Sequence, residues 1–495
     1  MNKKSILNNT ISSMVSYGIL LIVSIVSSKL ILVTYGSEAN GLLSSVNQLF
    51  SYIALLEAGI GTATVTALYR PIADADSVNI KEVLASSNYY YRVSAKWYFV
   101  CMLIVAAVWP LLLETDISYI TIFGIIFFQG VSGVITYWYT STVVNYLMAS
   151  GKNYVNNYVH LASSLLIYGL KIIICLTQQD IIFMALALIV VNCVKCLIYY
   201  AYLKLRCPEY AHISETGNRR ELKQRNSFLI HEISGVIFSS TDTIILSVFC
   251  GLKEASVYAV YALVLNALRM IIGQAFNSTN FILGNGYSKD PKNYPLTHDK
   301  YNCVYTCVVF IVFTIAYWMI LPFIGIYTQG ITDANYLDPK LPILFVLIEV
   351  LSACRIVDGQ LIKNAYHSKQ TLSHSIIEAG INLVVSLVAV QFLGMYGVLL
   401  GTIVALLYRV NDIIIYANTK ILKRSPLREY GMYALNFALF AVSVCVSQYI
   451  PIDANTYLQW IGYAVGIGFA VAVMYVLVNL IVLRNMLRTQ RGSYD

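Results

Sequence analysis

Six basic residues lie inside the long apolar stretches of this sequence, where their charges meet little water. On insertion scales, a Lys or Arg at the centre of a membrane-spanning helix costs about 2.5–3.5 kcal/mol. Each of these residues therefore needs a carboxylate partner, a water-filled cavity or a path to the membrane surface. In a cavity, such side chains could bind an anionic group. The six residues are Lys29, Lys171, Lys195, Arg269, Arg355 and Arg409.

Helical spacing places five of these cations on polar faces. Between residues 255 and 285 the face runs the length of the stretch and consists of Asn266, Arg269, Gly273, Asn277 and Asn280. A polar face of this length is expected to line a cavity rather than to contact lipid. Similar faces elsewhere contain Thr402, Arg409, Asp412 and Tyr416; Ser352, Arg355 and Gly359; Ser164, Tyr168, Lys171 and Gln178; and Asn192, Lys195, Tyr199 and Tyr202. We therefore predict that a substrate-binding cavity is lined by Arg269, Arg355, Arg409, Lys171, Lys195, Asn266 and Asn277.

Two of the arginines could instead have a purely structural role. Arg355 is followed by Asp358 and Arg409 by Asp412. Acid–base pairs at this helical spacing can neutralise each other. The sequence leaves both roles open for these arginines.

Arg269 differs from the other cations because no acid lies three or four residues away from it. It is therefore the best single candidate for binding a substrate. Lys29 lies near the end of its apolar stretch, so its long side chain could either line the cavity or extend to the membrane surface.

Seven acidic residues also lie within the apolar stretches. Glu232 and Glu378 are near the cytoplasmic ends of their stretches, where we expect water to reach them. We assign no role to these two residues or to Glu349. The other four are predicted to be partners of the cations or binding sites for a coupling proton or sodium ion: Glu57, Asp242, Asp358 and Asp412. Because the acids slightly outnumber the bases, charge counting alone does not identify an anionic substrate.

The elements that position these residues are membrane-spanning helices. The chain has 495 residues, of which 58% are hydrophobic and only 12% charged, whereas about a quarter is charged in soluble proteins. Apolar runs of about twenty residues predict fourteen helices rather than the alternating strands of a barrel. The predicted fold is an all-α polytopic membrane protein with spans at 11–34, 42–69, 95–113, 119–148, 155–177, 181–203, 228–250, 255–285, 301–328, 340–365, 374–393, 396–419, 430–450 and 457–483.

The distribution of positive charge orients these helices. Six Lys and Arg residues lie between Lys204 and Arg225, which places this linker in the cytoplasm. Fourteen spans put both termini and every second loop on the same side, which then holds every Lys and Arg outside the spans except Lys253 and Lys340. We predict a multi-pass protein of the bacterial cytoplasmic (inner) membrane with both termini cytoplasmic and short outer loops. The first apolar run is of span length, so we interpret it as a helix and not as a signal peptide.

An internal repeat with an offset of 216 residues divides the chain. Glu38-Ala39-Asn40 matches Glu254-Ala255-Ser256, and Ala149 matches Ala365. Two six-helix lobes of the same orientation would then be related by an axis along the membrane normal. The predicted domains are an N-terminal lobe (1–203), a basic cytoplasmic linker (204–227), a C-terminal lobe (228–420), and an extra helix pair with a cytoplasmic tail (421–495).

The sequence carries no sign of a catalytic or cofactor site. The closely spaced pairs Cys193–Cys196 and Cys303–Cys307 lack the further cysteines or histidines that a metal site needs. The net charge of +8 belongs to loops that orient the helices and touch anionic lipid headgroups, so no nucleic acid is expected as a partner. We predict a protein that is not an enzyme and has neither cofactor nor metal.

The second predicted span carries a resemblance to a known family. It begins with Gly36-Ser37-Glu38-Ala39-Asn40-Gly41-Leu42 and continues through Asn47-Gln48 to Leu55-Leu56-Glu57-Ala58-Gly59-Ile60-Gly61 and Ala67-Leu68-Tyr69-Arg70-Pro71. This region is similar to bacterial polysaccharide flippases of the Wzx type, within the multidrug/oligosaccharidyl-lipid/polysaccharide (MOP) exporter superfamily. The fourteen spans, the two lobes and the C-terminal helix pair resemble the family over the whole chain.

The resemblance implies a flippase that moves an undecaprenyl-pyrophosphate-linked oligosaccharide from the inner to the outer leaflet. It also implies alternating access between the lobes and a role in capsule, O-antigen or exopolysaccharide assembly. The implied partners are the lipid-linked oligosaccharide, membrane lipids and other polysaccharide assembly proteins. The family has no strict motif, so no individual binding residue is carried over.

Two other functions stay open. A cation-coupled multidrug antiporter of the same superfamily is expected to have a cavity dominated by carboxylates, and the first span here has none. A membrane-embedded polysaccharide polymerase or glycosyltransferase would need a large loop with clustered acids or bases, whereas the outer loops here are short.

Overall fold

The computed structural model of the chain describes residues 3–207, 225–277, 283–284, 286–287 and 294–491. It describes the side chains of residues 18–207, 233, 235–276, 283–284, 286–287 and 294–484. Within these residues the fold is all-helical and contains no strand, as predicted. Most of the basic linker lies outside the described residues, as do Asn280 and the side chains of Glu232 and Asn277.

The helices follow the apolar stretches of the sequence, because a segment within lipid must satisfy its backbone hydrogen bonds internally. In chain order they are α1 (Lys3–Ile53), α2 (Ile60–Ala73), α3 (Ser77–Leu112), α4 (Tyr119–Ile135), α5 (Ser141–Ala149), α6 (Asn153–Leu176), α7 (Ile182–Arg206), α8 (Arg225–Phe249), α9 (Leu252–Asn277), α10 (Tyr294–Tyr327), α11 (Leu341–Cys354), α12 (Ile356–Asn364), α13 (Leu372–Leu393), α14 (Met395–Tyr416), α15 (Leu427–Ser447) and α16 (Tyr457–Arg491).

Eleven helical stretches of the described chain are long and apolar enough to cross a membrane, so the chain is a multi-span membrane protein. The other three predicted spans are also helical. The second comprises the part of α1 after a kink at Gly36 (φ +81°), followed by α2. The seventh coincides with α8, and its apolar part is Gly235–Phe249. The tenth is divided into α11 and α12.

Several helices are interrupted within the predicted spans. A 3₁₀ turn at Ala54–Glu57 separates α1 from α2, and Arg355 separates α11 from α12. Two π-helical turns, Thr136–Thr140 and Ala417–Ile421, continue α4 and α14. Such turns inside helices are frequent at functional sites. These interruptions carry the polar residues Glu57, Tyr137, Arg355 and Asn418.

Packing divides the chain into two compact units, 15–256 and 257–495, the second of which also includes residues 1–14. Helix α8 thus belongs to the first unit. The lobe boundaries inferred from the sequence remain predictions.

Apolar clusters hold the first unit together. One of them surrounds Met102 of α3 and Ile125 of α4, both fully buried. At Gly130 the helix α4 approaches α3 so closely that an added Cβ would lie 2.0 Å from the Cγ of Met102. A second cluster contains Leu68 of α2 and Leu84 of α3.

In the second unit, α10 packs against α11, α15 and α16. Its side chains Phe310 and Phe313 are fully buried, and the indole N–H of Trp318 donates a 2.9 Å hydrogen bond to Ser443 of α15. Helices α13 and α14 form a hairpin with the most extensive packing of any described helix pair. This hairpin carries His374, Glu378, Arg409 and Asp412.

Candidate functional site

The hairpin of α13 and α14 is joined by Gly394 alone. Gly394 has a φ of +55°, a conformation that favours glycine. At Gly397, an added Cβ would lie 2.3 Å from the carbonyl oxygen of Ala389. At Gly401, an added Cβ would lie 2.2 Å from the Oγ of Ser386. Small residues at this spacing let two membrane helices approach each other closely.

Polar contacts continue along the hairpin beyond these glycines. The side-chain amide of Asn382 donates a 2.8 Å hydrogen bond to the hydroxyl of Thr402. Farther along, the two helices bring together a group of charged residues that we call the charge cluster. It consists of Arg355, His374, Glu378, Arg409 and Asp412.

Glu378 lies at the centre of the charge cluster. One of its carboxylate oxygens pairs with Nη1 of Arg355, and the other lies 3.4 Å from Nε of Arg409. Arg409 also pairs with Asp412, at 2.5 Å. Asp412 in turn pairs with Nδ1 of His374. Arg355 and Arg409 thus contact Glu378 directly, and Arg409 connects Asp412 and His374 to it.

The charge cluster is buried on one side and accessible on the other. The side chains of Glu378 and Arg409 are 7% and 9% exposed, whereas those of Arg355 and His374 are 24% and 35% exposed. Two arginines balance two carboxylates, and Arg355 and His374 lie on the accessible side of the cluster. An anionic group could contact the cluster at Arg355 and His374.

The structure gives both arginines of the cluster carboxylate partners. Arg409 pairs with Asp412, as its spacing allows, whereas Arg355 pairs with Glu378 of another helix. The expectation that water reaches Glu378 is wrong, because this residue lies between two arginines and is only 5% exposed. For Arg409, the geometry favours a positioning role over direct contact with a substrate.

Arg269 lies on α9 and pairs with a different carboxylate. Its Nε is 3.6 Å from the carboxylate of Glu349 on α11. Glu349 is 8% exposed, but the side chain of Arg269 is 49% exposed and could therefore contact a second anionic group. Asn266, one turn earlier, is half-buried. The side chain of Asn277 lies outside the described residues.

Two lysines of the first unit, Lys171 on α6 and Lys195 on α7, are partly buried. Neither forms an ion pair with any carboxylate in the described part of the chain. Lys195 is near His160 of α6, and Lys171 is one turn from Cys175. Both lysines remain predicted binding residues.

Interruptions in two helices of the first unit bring Glu57 and Tyr137 together. The Tyr137 side chain hydrogen-bonds Glu57, and its ring packs edge-on against Tyr98 with centroids 5.0 Å apart. Asp242 of α8 is elsewhere in the unit and is 3% exposed. The preceding residue, Thr241, contacts the hydroxyl of Tyr52. The roles of Glu57 and Asp242 in ion coupling remain predictions.

Asp358 belongs to a second buried group in the unit 257–495. One of its oxygens lies 2.9 Å from Nε2 of His298, and Glu429 is within hydrogen-bonding reach. Sequence analysis missed His298 and Glu429 because the predicted spans begin at 301 and 430. The helices begin at Tyr294 and Leu427, so extending each predicted span by one turn would have found both residues.

No protein-family model and no curated protein matches this chain. The lipid II flippase MurJ, in an inward closed conformation, is similar in structure, with a TM-score of 0.66 and 12% identity over 96% of this chain and 100% of that chain.

Other similar structures are transporters of the MOP superfamily. An inward-facing multidrug resistance transporter of the MATE family has a TM-score of 0.64 and 14% identity over 82% of this chain and 94% of its own. A MOP superfamily transporter from Pyrococcus furiosus, reported to have a binding pocket of reverse polarity, has a TM-score of 0.55 and 16% identity over 83% of this chain and 96% of its own.

These likenesses define the fold. The chain has the fold of the MOP superfamily transporters, as the sequence resemblance implied. Because the same fold occurs in flippases and in multidrug transporters, the substrate has to be argued from this chain's own residues.

Proposed function

We propose that the protein is a flippase of the bacterial cytoplasmic membrane with both termini in the cytoplasm. It moves an undecaprenyl-pyrophosphate-linked oligosaccharide from the inner to the outer leaflet by alternating access. This activity serves the assembly of a surface polysaccharide such as capsule or O-antigen. It is the function of the Wzx-type flippases that the second span resembles.

The observation that carries the proposal is the extent of the likeness to MurJ. Only 4% of the 495 residues, about 20, lie outside that match. Helices α15 and α16 comprise 21 and 35 residues, so the likeness extends into the C-terminal helix pair. The match to the MATE transporter covers 82% of the chain and leaves 18% unmatched.

The charges of each unit suit an anionic headgroup. In the unit 257–495, Arg269 and the accessible edge of Arg355 offer guanidinium groups, which bind phosphate with two hydrogen bonds. In the unit 15–256, Lys171 and Lys195 have no described carboxylate partner. Within either unit, a pyrophosphate or its sugars would contact these groups, while the prenyl chain stays in the lipid.

The membrane potential favours this direction of transport. Moving one negative charge outward across a membrane that is negative inside releases about 2.3 kcal/mol per 100 mV. A pyrophosphate headgroup carries more than one such charge, so an accessible path is enough to make the outward movement favourable. The protein therefore needs no nucleotide hydrolysis to drive it.

Depletion of the gene tests the proposal in cells. We expect lipid-linked oligosaccharide to accumulate in the inner leaflet, where its glycan reacts with an impermeant sugar-oxidising reagent only in inside-out vesicles. Re-expression of the unmutated gene is the control and should restore the outer-leaflet pool. Unchanged leaflet distribution after depletion would contradict the proposal.

The buried carboxylates favour a second candidate, a cation-coupled multidrug antiporter. Glu349 and Glu378 are both less than 10% exposed, and lipophilic cations are the cargo that such carboxylates would bind. This function predicts that overexpression lowers the intracellular level of a lipophilic cationic dye, and that Glu349→Gln abolishes the effect. A flippase predicts no change in dye level in either strain.

A further inference from the structure

A fully buried group of ionisable residues lies where α10, α12 and α15 meet. His298 and Asp358 are 0% exposed, and Glu429 is 5% exposed. They come from three different helices, and none of them belongs to the charge cluster. We call these three residues the His298 site.

The arginines nearest to this site are already engaged by a fourth residue. Both guanidinium Nη atoms of Arg424 contact the carboxylate of Asp299, at 2.6 and 2.9 Å. Arg428 adds a contact of 3.2 Å to the same carboxylate. Asp299 lies next to His298 in sequence, and the two side chains are 3.9 Å apart. The two arginines carry one positive charge more than Asp299, and the side chain of Arg428 is 42% exposed.

Glu429 is held by two amides. Asn302 of α10 and Asn418 each donate a hydrogen bond of 2.7 Å, one to each carboxylate oxygen. Asn418 lies in the π-helical turn after α14 and is fully buried. Glu429 is thus fixed as a hydrogen-bond acceptor by residues that bring no charge.

Asp358, in contrast, accepts no hydrogen bond from a described amide group. Its oxygens and both ring nitrogens of His298 are buried, and none of these atoms makes a well-aligned hydrogen bond with a described group. The carboxylates of Asp358 and Glu429 are nevertheless within hydrogen-bonding reach of each other. Two ionised carboxylates at that distance repel, and a proton between them converts the repulsion into a hydrogen bond.

The other titratable groups that face the site do not supply the missing charge. Among the described side chains, Tyr294, Cys354, Tyr430 and Tyr433 are close enough to interact with it electrostatically, whereas Cys303 interacts with Asp299. All of these are neutral phenols or thiols near neutral pH. Even a positively charged His298 would leave one net negative charge among the three buried residues, whereas the surplus positive charge of the arginine pair lies on the Asp299 side, where the Arg428 side chain is 42% exposed. Burying a charge without a buried partner is costly.

We propose that Asp358 and Glu429, beside His298, form a proton-binding site, and that loading and release of this proton are coupled to the transport cycle. The proton passes between water and the carboxylate pair. Loading holds α12 against α15 through the shared hydrogen bond, and release lets the two carboxylates repel. The coupling rests on the proposed function, whereas proton binding itself does not.

Infrared difference spectroscopy of the full chain in lipid, recorded between acidic and alkaline pH, tests proton binding without any substrate. We expect a pH-dependent carbonyl stretch from a buried protonated carboxyl group. The band should be lost in Asp358→Asn and in Glu429→Gln. It should persist in Glu378→Gln, because Glu378 is equally buried but paired with two arginines.

Three outcomes would overturn proton binding. They are the absence of the band in the unmutated protein at every pH, its persistence in both variants of the site, and a band that changes with sodium concentration at constant pH. If these variants do not fold, His298→Gln keeps both carboxylates and removes the neighbouring cation. The band should then persist to more alkaline pH, and a shift toward acidic pH would contradict the site.

Proteoliposomes that contain lipid-linked oligosaccharide test the coupling. A pH gradient should change the flipping rate of the unmutated protein but not that of Asp358→Asn. A gradient-independent rate in both proteins would overturn the coupling even with the infrared band present. No flipping in either protein would contradict the proposed function instead, and the infrared result would stand.

Discussion

The side-chain amide of Asn40 donates a 2.7 Å hydrogen bond to the hydroxyl of Ser256, and both residues are buried. They are 216 positions apart, which is the offset of the internal repeat. The contact joins two positions that the predicted repeat would make equivalent, and the repeat itself stays a prediction. The neighbouring Gly41 lies against Leu252, whose carbonyl oxygen would be 1.9 Å from an added Cβ.

The contact between Gly41 and Leu252 predicts that Gly41→Ala destabilises the protein. The new methyl group would meet backbone rather than a movable side chain, so we expect a loss of about 1–3 kcal/mol. Thermal unfolding of the detergent-purified protein measures this loss. Gly18→Ala on the same helix is the control, because nothing lies within 4 Å of its added Cβ. Equal unfolding temperatures for the two variants would contradict the packing described.

Removal of Arg409 is expected to lower stability for a different reason, the loss of a buried ion pair. Arg409→Ala leaves two carboxylates with one arginine in a buried position, and breaking a buried pair in this way costs about 3–5 kcal/mol. Adding Asp412→Asn removes the surplus negative charge and should recover part of that loss. Chemical or thermal unfolding of Arg409→Ala, Asp412→Asn and the double variant decides the matter. Losses that simply add in the double variant would argue against the coupling of these two residues.

Substitution of Arg269 is expected to have the opposite effect, because transport should be lost while stability changes little. Only Arg269 is exposed in its ion pair with Glu349, at 49% against 8%, and this long contact of 3.6 Å with an exposed partner is expected to contribute about 1 kcal/mol. If Arg269 binds the pyrophosphate through a charge-assisted hydrogen bond of about 1.5–3 kcal/mol, Arg269→Ala should slow flipping roughly tenfold or more. Glu349→Gln, which keeps the arginine, is the matched control. Full flipping by a normally folded Arg269→Ala protein would remove this residue from substrate binding.

Much of the fold could be predicted from hydropathy, because each helix must be long and apolar enough to cross the membrane. The helix ends were less predictable. The spans containing His298 and Glu429 were predicted to begin too late, since charged residues there lowered the local hydropathy although they are buried among partners from other helices. A single-sequence pattern cannot separate a charge that is solvated from one that is paired in the interior.

The candidate site, like the helix ends, could be predicted from the sequence only in part. The spacing of Arg409 and Asp412 predicted their ion pair, because both residues lie on one helix. The pairs of Arg269 with Glu349 and of Arg355 with Glu378 join different helices and depend on how those helices pack. Sequence spacing therefore identified the cations but not most of their partners.

The charge distribution predicts the orientation of the loops. A protease site inserted after Gly151 should be cut only in inside-out vesicles, because the loop with Lys152 is predicted to be cytoplasmic. Gly151 lies in an open turn, so an insertion there should be tolerated. A site inserted after Ala454, in a predicted outer loop, should be cut in intact spheroplasts. Cleavage with the opposite sidedness would reverse the topology proposed for the chain.

The central claim is that this chain by itself moves a lipid-linked oligosaccharide across a bilayer. The most direct measurement is the flipping of a fluorescent undecaprenyl-pyrophosphate oligosaccharide in proteoliposomes that contain only the purified protein, read as quenching by an impermeant reductant. We expect the quenchable fraction to rise from about half, as in empty liposomes, to nearly all of the label. A fraction that stays at the level of empty liposomes with a correctly folded protein would contradict the claim.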